Sequence, residues 1–309
     1  MKKLYLVLLG GLFSIFFSAA VLSASILPDV AEGVAAVSLS GQPLFAAEAN
    51  AATMENLEAA RRDYDKDPMA ADNIIWYGRR TAYAGDYRRA IEIFSEGIEK
   101  HPQDPRMVRH RGHRYISIRE FDRAIVDFER AAILMEGREN QIEPDGLPNA
   151  QNIPLSTTLG NIWYHLGLAY YLKQDWENAL RGFQNGYNTG GNDDNLVSTG
   201  HWIYMIHRRM GNPEAAAAAL EDISKDMTIV ENQSYHELCL LYKGEILIED
   251  MMPANGDDPA NAAVAYGIAN WFYYNDNRVE SDEMLENILA GSSWSAFGFI
   301  AAEADRVTR

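Results

Sequence analysis

The chain has one cysteine in 309 residues, Cys239, so it can form no internal disulfide and no cysteine-rich metal or iron–sulfur site. Its 11 prolines and 23 glycines are too few for a collagen-like or low-complexity fibre. Positive charge is scarce: 27 Lys and Arg stand against 44 Asp and Glu, a formal net charge of -17. Nucleic-acid binding needs clustered cations that release counterions from phosphate, and this balance argues against it. It also weakens attraction to an anionic membrane surface. There is no Gly-rich phosphate loop and no Gly-x-Ser-x-Gly elbow. His236-Glu237 begins like a zinc-protease motif, but Leu240 stands where the second histidine must be. His110-x-x-His113 puts two imidazoles on one helical face without a third ligand in register. Residues 188–195 offer Asn and Asp oxygens without the alternating acidic spacing of a calcium loop, and read as a turn. The expectation is no catalytic residue, no cofactor and no metal.

What is present is apolar material, 47% of the residues, with a generous 11% aromatic. Lys2 and Lys3 precede an apolar stretch from Leu4 to about Ile26 that ends near the small residues Ser23 and Ala24. A basic start, an apolar middle and a small-residue end make an export signal. The run is also long enough to span a bilayer, so residues 1–26 are either a cleaved signal or an N-terminal membrane anchor. The protein is expected outside the cytoplasm, in the periplasm of a bacterial envelope. Residues 27–53 are Ala-rich and without pattern, as a tether would be. Structure is expected from Met54, where Leu57, Ala60 and Tyr64 share a helical face. Cys239, in Leu238-Cys239-Leu240-Leu241, reads as buried helix.

A period then appears. Gly78 matches Gly112, Tyr87 matches Phe121, Ala90 matches Ala124, Ile91 matches Ile125 and Phe94 matches Phe128, each 34 residues apart. A third unit reads Trp163-x-x-Leu166-Gly167-x-x-Tyr170, then Asp175-Trp176, Ala179 and Phe183. A period of this length marks a helix pair stacked in a solenoid, and this third unit resembles the tetratricopeptide (TPR) signature nearly complete. The first unit departs from it with Thr81 where the family prefers Tyr, the second with Arg111-Gly112 in place of Leu-Gly. Clear repeats span 71–104, 105–138 and 160–192. Weaker ones span 197–228 and 259–290, the last with Ser281 where Ala is usual. Residues 232–250 look helical but fit the repeat poorly. Trp294, Phe297, Ile300 and Ala301 share one face of a final helix, with charged residues opposite, as a terminal cap would have. The expected fold is an all-α, right-handed solenoid of four to five TPR-like helix pairs over 54–309, with a C-terminal capping helix. Residues 136–158 interrupt it with Pro144, Gly146, Pro148 and Pro154 and no apolar period. So long a loop is either functional or a tolerated insertion.

Charge is unevenly spread. Residues 78–130 hold eleven Arg and Lys100 against nine carboxylates, a net of +3, whereas 190–309 hold seven cations against twenty carboxylates, a net of -13. The resemblance implies that the first helix of each pair lines a concave groove that takes extended peptides. Carried over, the groove candidates are Arg79 and Tyr83, then Arg106, Arg109 and His113, then Tyr164 and Tyr171. Arginine forks suit carboxylates and tyrosines give rigid contact area, so a protein or peptide partner rich in carboxylates is expected. The competing reading is that these arginines are solvated or pair with local acids such as Asp86 and Glu120. A second function is a glycan or small-ligand receptor, signalled by an Arg-free pocket walled by Tyr164, Tyr171 and Trp202. An enzyme would need an acid–base pair converging at the long loop. Export predicts a mature N-terminus near Ser25, or full-length chain in detergent-extracted membranes if the segment anchors; recovery only from the cytosol would contradict both.

Overall fold

One contact recurs in the first three helix pairs. A Cβ added to Gly78 would stand 2.5 Å from the Phe94 ring, one on Gly112 3.0 Å from Phe128, and one on Gly167 2.8 Å from Phe183. In each pair the glycine of the first helix is the seat for a phenylalanine sixteen residues on. The pairs, in a computed structural model that describes residues 27–251 and 259–309, are α2 (Ala71–Tyr83) with α3 (Tyr87–Lys100), α4 (Pro105–Ser117) with α5 (Phe121–Met135), and α6 (Thr158–Leu172) with α7 (Trp176–Gly190). Each helix packs on the next through α8 (Asp193–Arg209), and α1 (Ala51–Lys66) packs on α2. The three phenylalanines are at most 1% exposed, and Ala90, Ala124 and Ala179 are fully buried. The helix starts follow local chemistry: Asp86, Asp104, Asp175 and Thr157 each cap a helix through a side-chain oxygen. Gly85 takes φ 94° after α2, a left-handed turn that favours glycine.

The array then loses its period. The second helix of the fourth unit, α9 (Pro213–Ala218), is only six residues long, and α10 (Gln233–Tyr242) follows alone, with Cys239 fully buried against the Val197 carbonyl. The fifth unit consists of α11 (Pro259–Tyr274) and α12 (Arg278–Ala290). Ser281 stands in place of alanine because its hydroxyl accepts a hydrogen bond from Arg309 Nη1 at 2.9 Å. The all-α helical-repeat expectation holds for the unit Glu32–Arg309.

Two expectations need correction. Residues 27–53 are not only a tether. Ala36–Val37 (β1) pairs antiparallel with Pro43–Leu44 (β2), Ala36 is fully buried, and the Phe45 carbonyl accepts from Trp294 Nε1 at 2.7 Å. This order comes from docking, which leaves no periodic trace. The C-terminal helix, α13 (Phe297–Thr308), is not a cap with a solvated charged side. Gly298 through Asp305 are buried without a break, and the helix packs on α6, α11 and α12. The export segment 1–26 lies outside the described residues.

A close crossing between α6 and α7 yields a direct test. A Cβ on Gly182 would lie 2.6 Å from the backbone of Gly167, which cannot step aside, whereas one on Gly160 meets only the Thr157 hydroxyl. Gly182→Ala is expected to destabilise by roughly 1–3 kcal/mol in urea unfolding. Gly160→Ala, whose Cβ would press on the capping Thr157 hydroxyl at 2.8 Å but on no backbone, is expected to cost less, at most about 1 kcal/mol, because alanine is the better helix former. Equal costs would contradict the α6–α7 packing.

Candidate functional site

The surface formed by the first helices α2, α4 and α6 is covered by two segments of the same chain. Residues 136–157 form a loop whose two legs zip together. Ile142 bridges Thr157, Glu143 N–H donates to the Ser156 carbonyl at 2.8 Å, and the Asn140 side chain accepts from Leu159 N–H at 3.0 Å. Its tip lies on α2. Arg79 Nη1 donates to the Pro144 carbonyl and Arg80 Nη1 to the Gly146 carbonyl, both at 2.8 Å. A Cβ on Gly146 would lie 2.0 Å from the Tyr83 hydroxyl, so any larger residue there must displace the Tyr83 ring. Glu143, 6% exposed, turns inward: Oε1 is 3.4 Å from both Arg109 Nη2 and His110 Nε2, and Oε2 accepts from Asn161 at 3.2 Å.

The second segment is the C-terminal one. Trp294 meets the Tyr87 ring edge-on at 5.5 Å, and Phe297 stands 5.4 Å from His113 and 5.5 Å from His165. Arg119, at the end of α4, is fixed in the left-handed region (φ 67°). It donates to Glu303 Oε2 and to the Trp294 carbonyl, each at 2.8 Å. Asp305, 1% exposed, accepts from Arg309 at 2.8 Å and the Tyr266 hydroxyl at 3.1 Å and is ion-paired with Arg209. Buried carboxylates are tolerated in α13 because each meets an arginine, and Asp305 a tyrosine hydroxyl as well.

Of the expected groove residues, Arg79, Tyr83, Arg109 and His113 do come together, around a cavity of about 100 Å³. Arg106 does not join them. It sits in the first turn of α4, tied to Asp104 Oδ2 at 2.6 Å and Asp72 at 2.7 Å, which raises its pKa. For this residue the local-acid reading is the correct one. Tyr171 is corrected too. It lies two turns beyond Tyr164, where α8 and α11 close over α6, and is 2% exposed with its hydroxyl 2.8 Å from that of Tyr266. Tyr164 lines a separate cavity of about 290 Å³ with Tyr235, Phe297, Asn161 and Asp194. Its hydroxyl donates to Tyr235 and accepts from Trp202 Nε1 at 2.9 Å. Trp202 is 1% exposed. With Tyr171 and Trp202 in the core, the stacking wall required by the glycan reading does not form.

Electrostatically the covered face is cationic. Burial first, then the neighbouring arginines, pushes His110 and His113 well below the usual histidine range, and His165 likewise, so all three are neutral at pH 7. Burial, opposed by Glu143 and aided by Arg79, lowers Arg109, and burial lowers Arg114 to about 10, so both stay charged. Glu143 and His110 form the acid–base couple that an enzyme reading would require at the loop. His110 Nδ1, however, lies 2.8 Å from the Arg109 guanidinium and must accept from it, which leaves the Nε2 proton facing Glu143. Both ring nitrogens are engaged, and neither is a free base.

Glu143, Arg119, Glu303 and Asp305 were missed as inner-face residues from sequence. Signals existed: Arg119 tops an unusually Arg-rich unit, and α13 is small or apolar around most of its circumference (Gly298, Ala301, Ala302, Ala304), a pattern of helices buried on all sides.

Fold and inner face together define a helical-repeat protein of TPR-like pairs. No family model matches the chain, and no curated protein does. Among solved structures it is similar to YrrB, a TPR protein with an unusual peptide-binding site, at 16% identity and TM-score 0.43, over 81% of this chain and 99% of that one. BtubC (BKLC) from P. vanneervenii gives 13% identity and TM-score 0.44, over 84% and 90%. The APC/C hetero-tetramer Cut9–Hcn1 gives 16% and 0.47, over 77% of this chain but 37% of the matched one.

The buried Arg119–Glu303 pair, with side chains 3% and 6% exposed, tests the placement of α13. Glu303→Ala strands a buried guanidinium and is expected to cost roughly 3–5 kcal/mol, much of it recovered when Arg119→Met is added. A cost below about 0.5 kcal/mol, the range of an exposed site, would contradict it.

Proposed function

We propose that the chain is a non-enzymatic protein-interaction scaffold whose inner face takes an extended, carboxylate-bearing peptide segment of a partner in place of residues 136–158. The supporting observation is the loop's own mode of attachment. It meets α2 and α4 through two main-chain carbonyls, one inward carboxylate and a glycine under Tyr83, all features an extended acidic peptide can supply. Arg79 and Arg109 are the recognising residues in this reading, and the internal loop competes with the partner. The same reading keeps the export signal, which would put the scaffold in the periplasm.

The test uses the loop as its own probe. Ile142 and Thr157 are antiparallel partners, so residues 143–156 can be replaced by Asn-Gly as a two-residue turn. That shortened chain is expected to bind a synthetic peptide of residues 141–150 in trans, by fluorescence anisotropy, with Kd below about 1 mM, the effective concentration of a short tether. Changing Glu143→Gln in the peptide or Arg109→Met in the protein removes a charge-assisted contact and should weaken binding about 10- to 100-fold. The intact chain should bind the peptide far less. Failure of the shortened, folded chain to bind would overturn the proposal.

A further inference from the structure

We propose that the small cavity between α2 and α4, walled by Arg79, Arg109 and Arg114, binds one tetrahedral oxyanion of the phosphate or sulfate class. The cavity holds about 100 Å³ and is lined by those three arginines, Tyr83, His110, His113, Ala82 and Phe94. By the same measure one water needs only about 10–15 Å³, so there is room for a small polyatomic ion. Among the described residues no carboxylate lines it. Glu143 approaches from outside, 3.4 Å from Arg109, and its other oxygen is taken by Asn161.

Three cations therefore border one small space, with the carboxylates of Glu143 and Asp145 near Arg109 and Arg79 but outside the lining. Arg79 and Arg109 are 8% and 6% exposed, so water does not screen them from each other. The donors are also under-used. Arg109 Nε is buried with no hydrogen-bond partner among the described residues. Arg114 makes no hydrogen bond or ion pair among the described residues; its guanidinium lies 5.7 Å from the Tyr87 ring. An orphaned buried donor on a charged group is costly and rare, and an anion in the cavity would complete Arg109 Nε and the half-buried Arg114 together. Burial first, and after it the charges of Arg109 and Arg79, lower Arg114 to about 10. A carboxylate offers two oxygens in one plane, whereas three guanidiniums arriving from two helices match the four oxygens of a tetrahedral ion. His110 and His113 stay neutral and add no competing charge. This inference does not depend on the peptide reading, because it concerns the loop-closed chain.

The experiment is isothermal titration of the full chain with sodium phosphate and, separately, sodium sulfate at pH 7, with sodium chloride holding ionic strength constant, alongside thermal unfolding. The expected result is saturable one-site binding of either ion with Kd below 1 mM and a Tm that climbs with ion concentration, where chloride does neither. Arg114→Gln removes no hydrogen bond of the unliganded fold. It should leave the ion-free Tm unchanged or higher while weakening binding at least tenfold. Arg109→Lys, which keeps the charge and loses the fork, should weaken it less than Arg114→Gln. If phosphate and sulfate act like chloride, or if Arg114→Gln binds them as well as the parent, the proposal is overturned. Loss of peptide binding by the loop-shortened chain would leave it untouched.

Discussion

A phenylalanine ring seated on a glycine, sixteen residues back, sets the spacing of the first three helix pairs, and the other features of the fold follow from that spacing. The glycines Gly78, Gly112 and Gly167 let each second helix approach closely enough to bury Phe94, Phe128 and Phe183 almost completely. Burying one such side chain contributes about 1.5–3 kcal/mol. Because the contact is repeated in register, the same face of each first helix points inward, and Arg79, Arg109, His113 and Tyr164 are delivered to one surface.

That surface is cationic and aromatic, and it is not left to solvent. The loop of 136–157 covers its first half and α13 its second. A charged face covered by its own chain is stable only if each buried charge is answered. Arg119 meets Glu303, while Arg209 and Arg309 meet Asp305. Arg79 meets a main-chain carbonyl and Arg109 a single carboxylate at 3.4 Å. Arg114 meets, among the described residues, an aromatic ring at 5.7 Å and no carboxylate partner. The pairing thins from the C-terminal half toward α2. Tight ion pairs hold α13, so it belongs to the fold, whereas the loop is held by carbonyls and one long pair and is the better candidate for exchange.

The helix pairs were legible because close packing imposes small and aromatic residues at fixed offsets, and 34 residues is long enough to be read twice. Gly167 and Phe183 announce their contact in the sequence alone. The inner-face arginines were legible as residue types and helix positions but not as exposures. Arg79 and Arg109 are covered by Pro144, Gly146 and Glu143, more than thirty residues downstream, and nothing local to an arginine records what will fold over it. Arg106 went astray for a nearer reason: Asp104 beside it and Asp72 one repeat back hold it outward. Glu303 and Asp305 read as a solvated helix side because charge normally marks solvent; their partners Arg119 and Arg209 lie 184 and 96 residues away. Ser281 looked like a broken repeat and is instead the partner of Arg309.

The central claim is that the C-terminal helix is an interior element that fills the array's inner face. Native-state amide hydrogen exchange reads this directly, because an interior helix opens only with the whole fold and a terminal one opens alone. The account predicts that the amides of 299–305 exchange as slowly as those of α4 and α6, and that their protection falls in step with these helices as urea is added. Rapid exchange of 299–305 while α4 and α6 remain protected would mean that α13 is a detachable end, and the inner face would then be open.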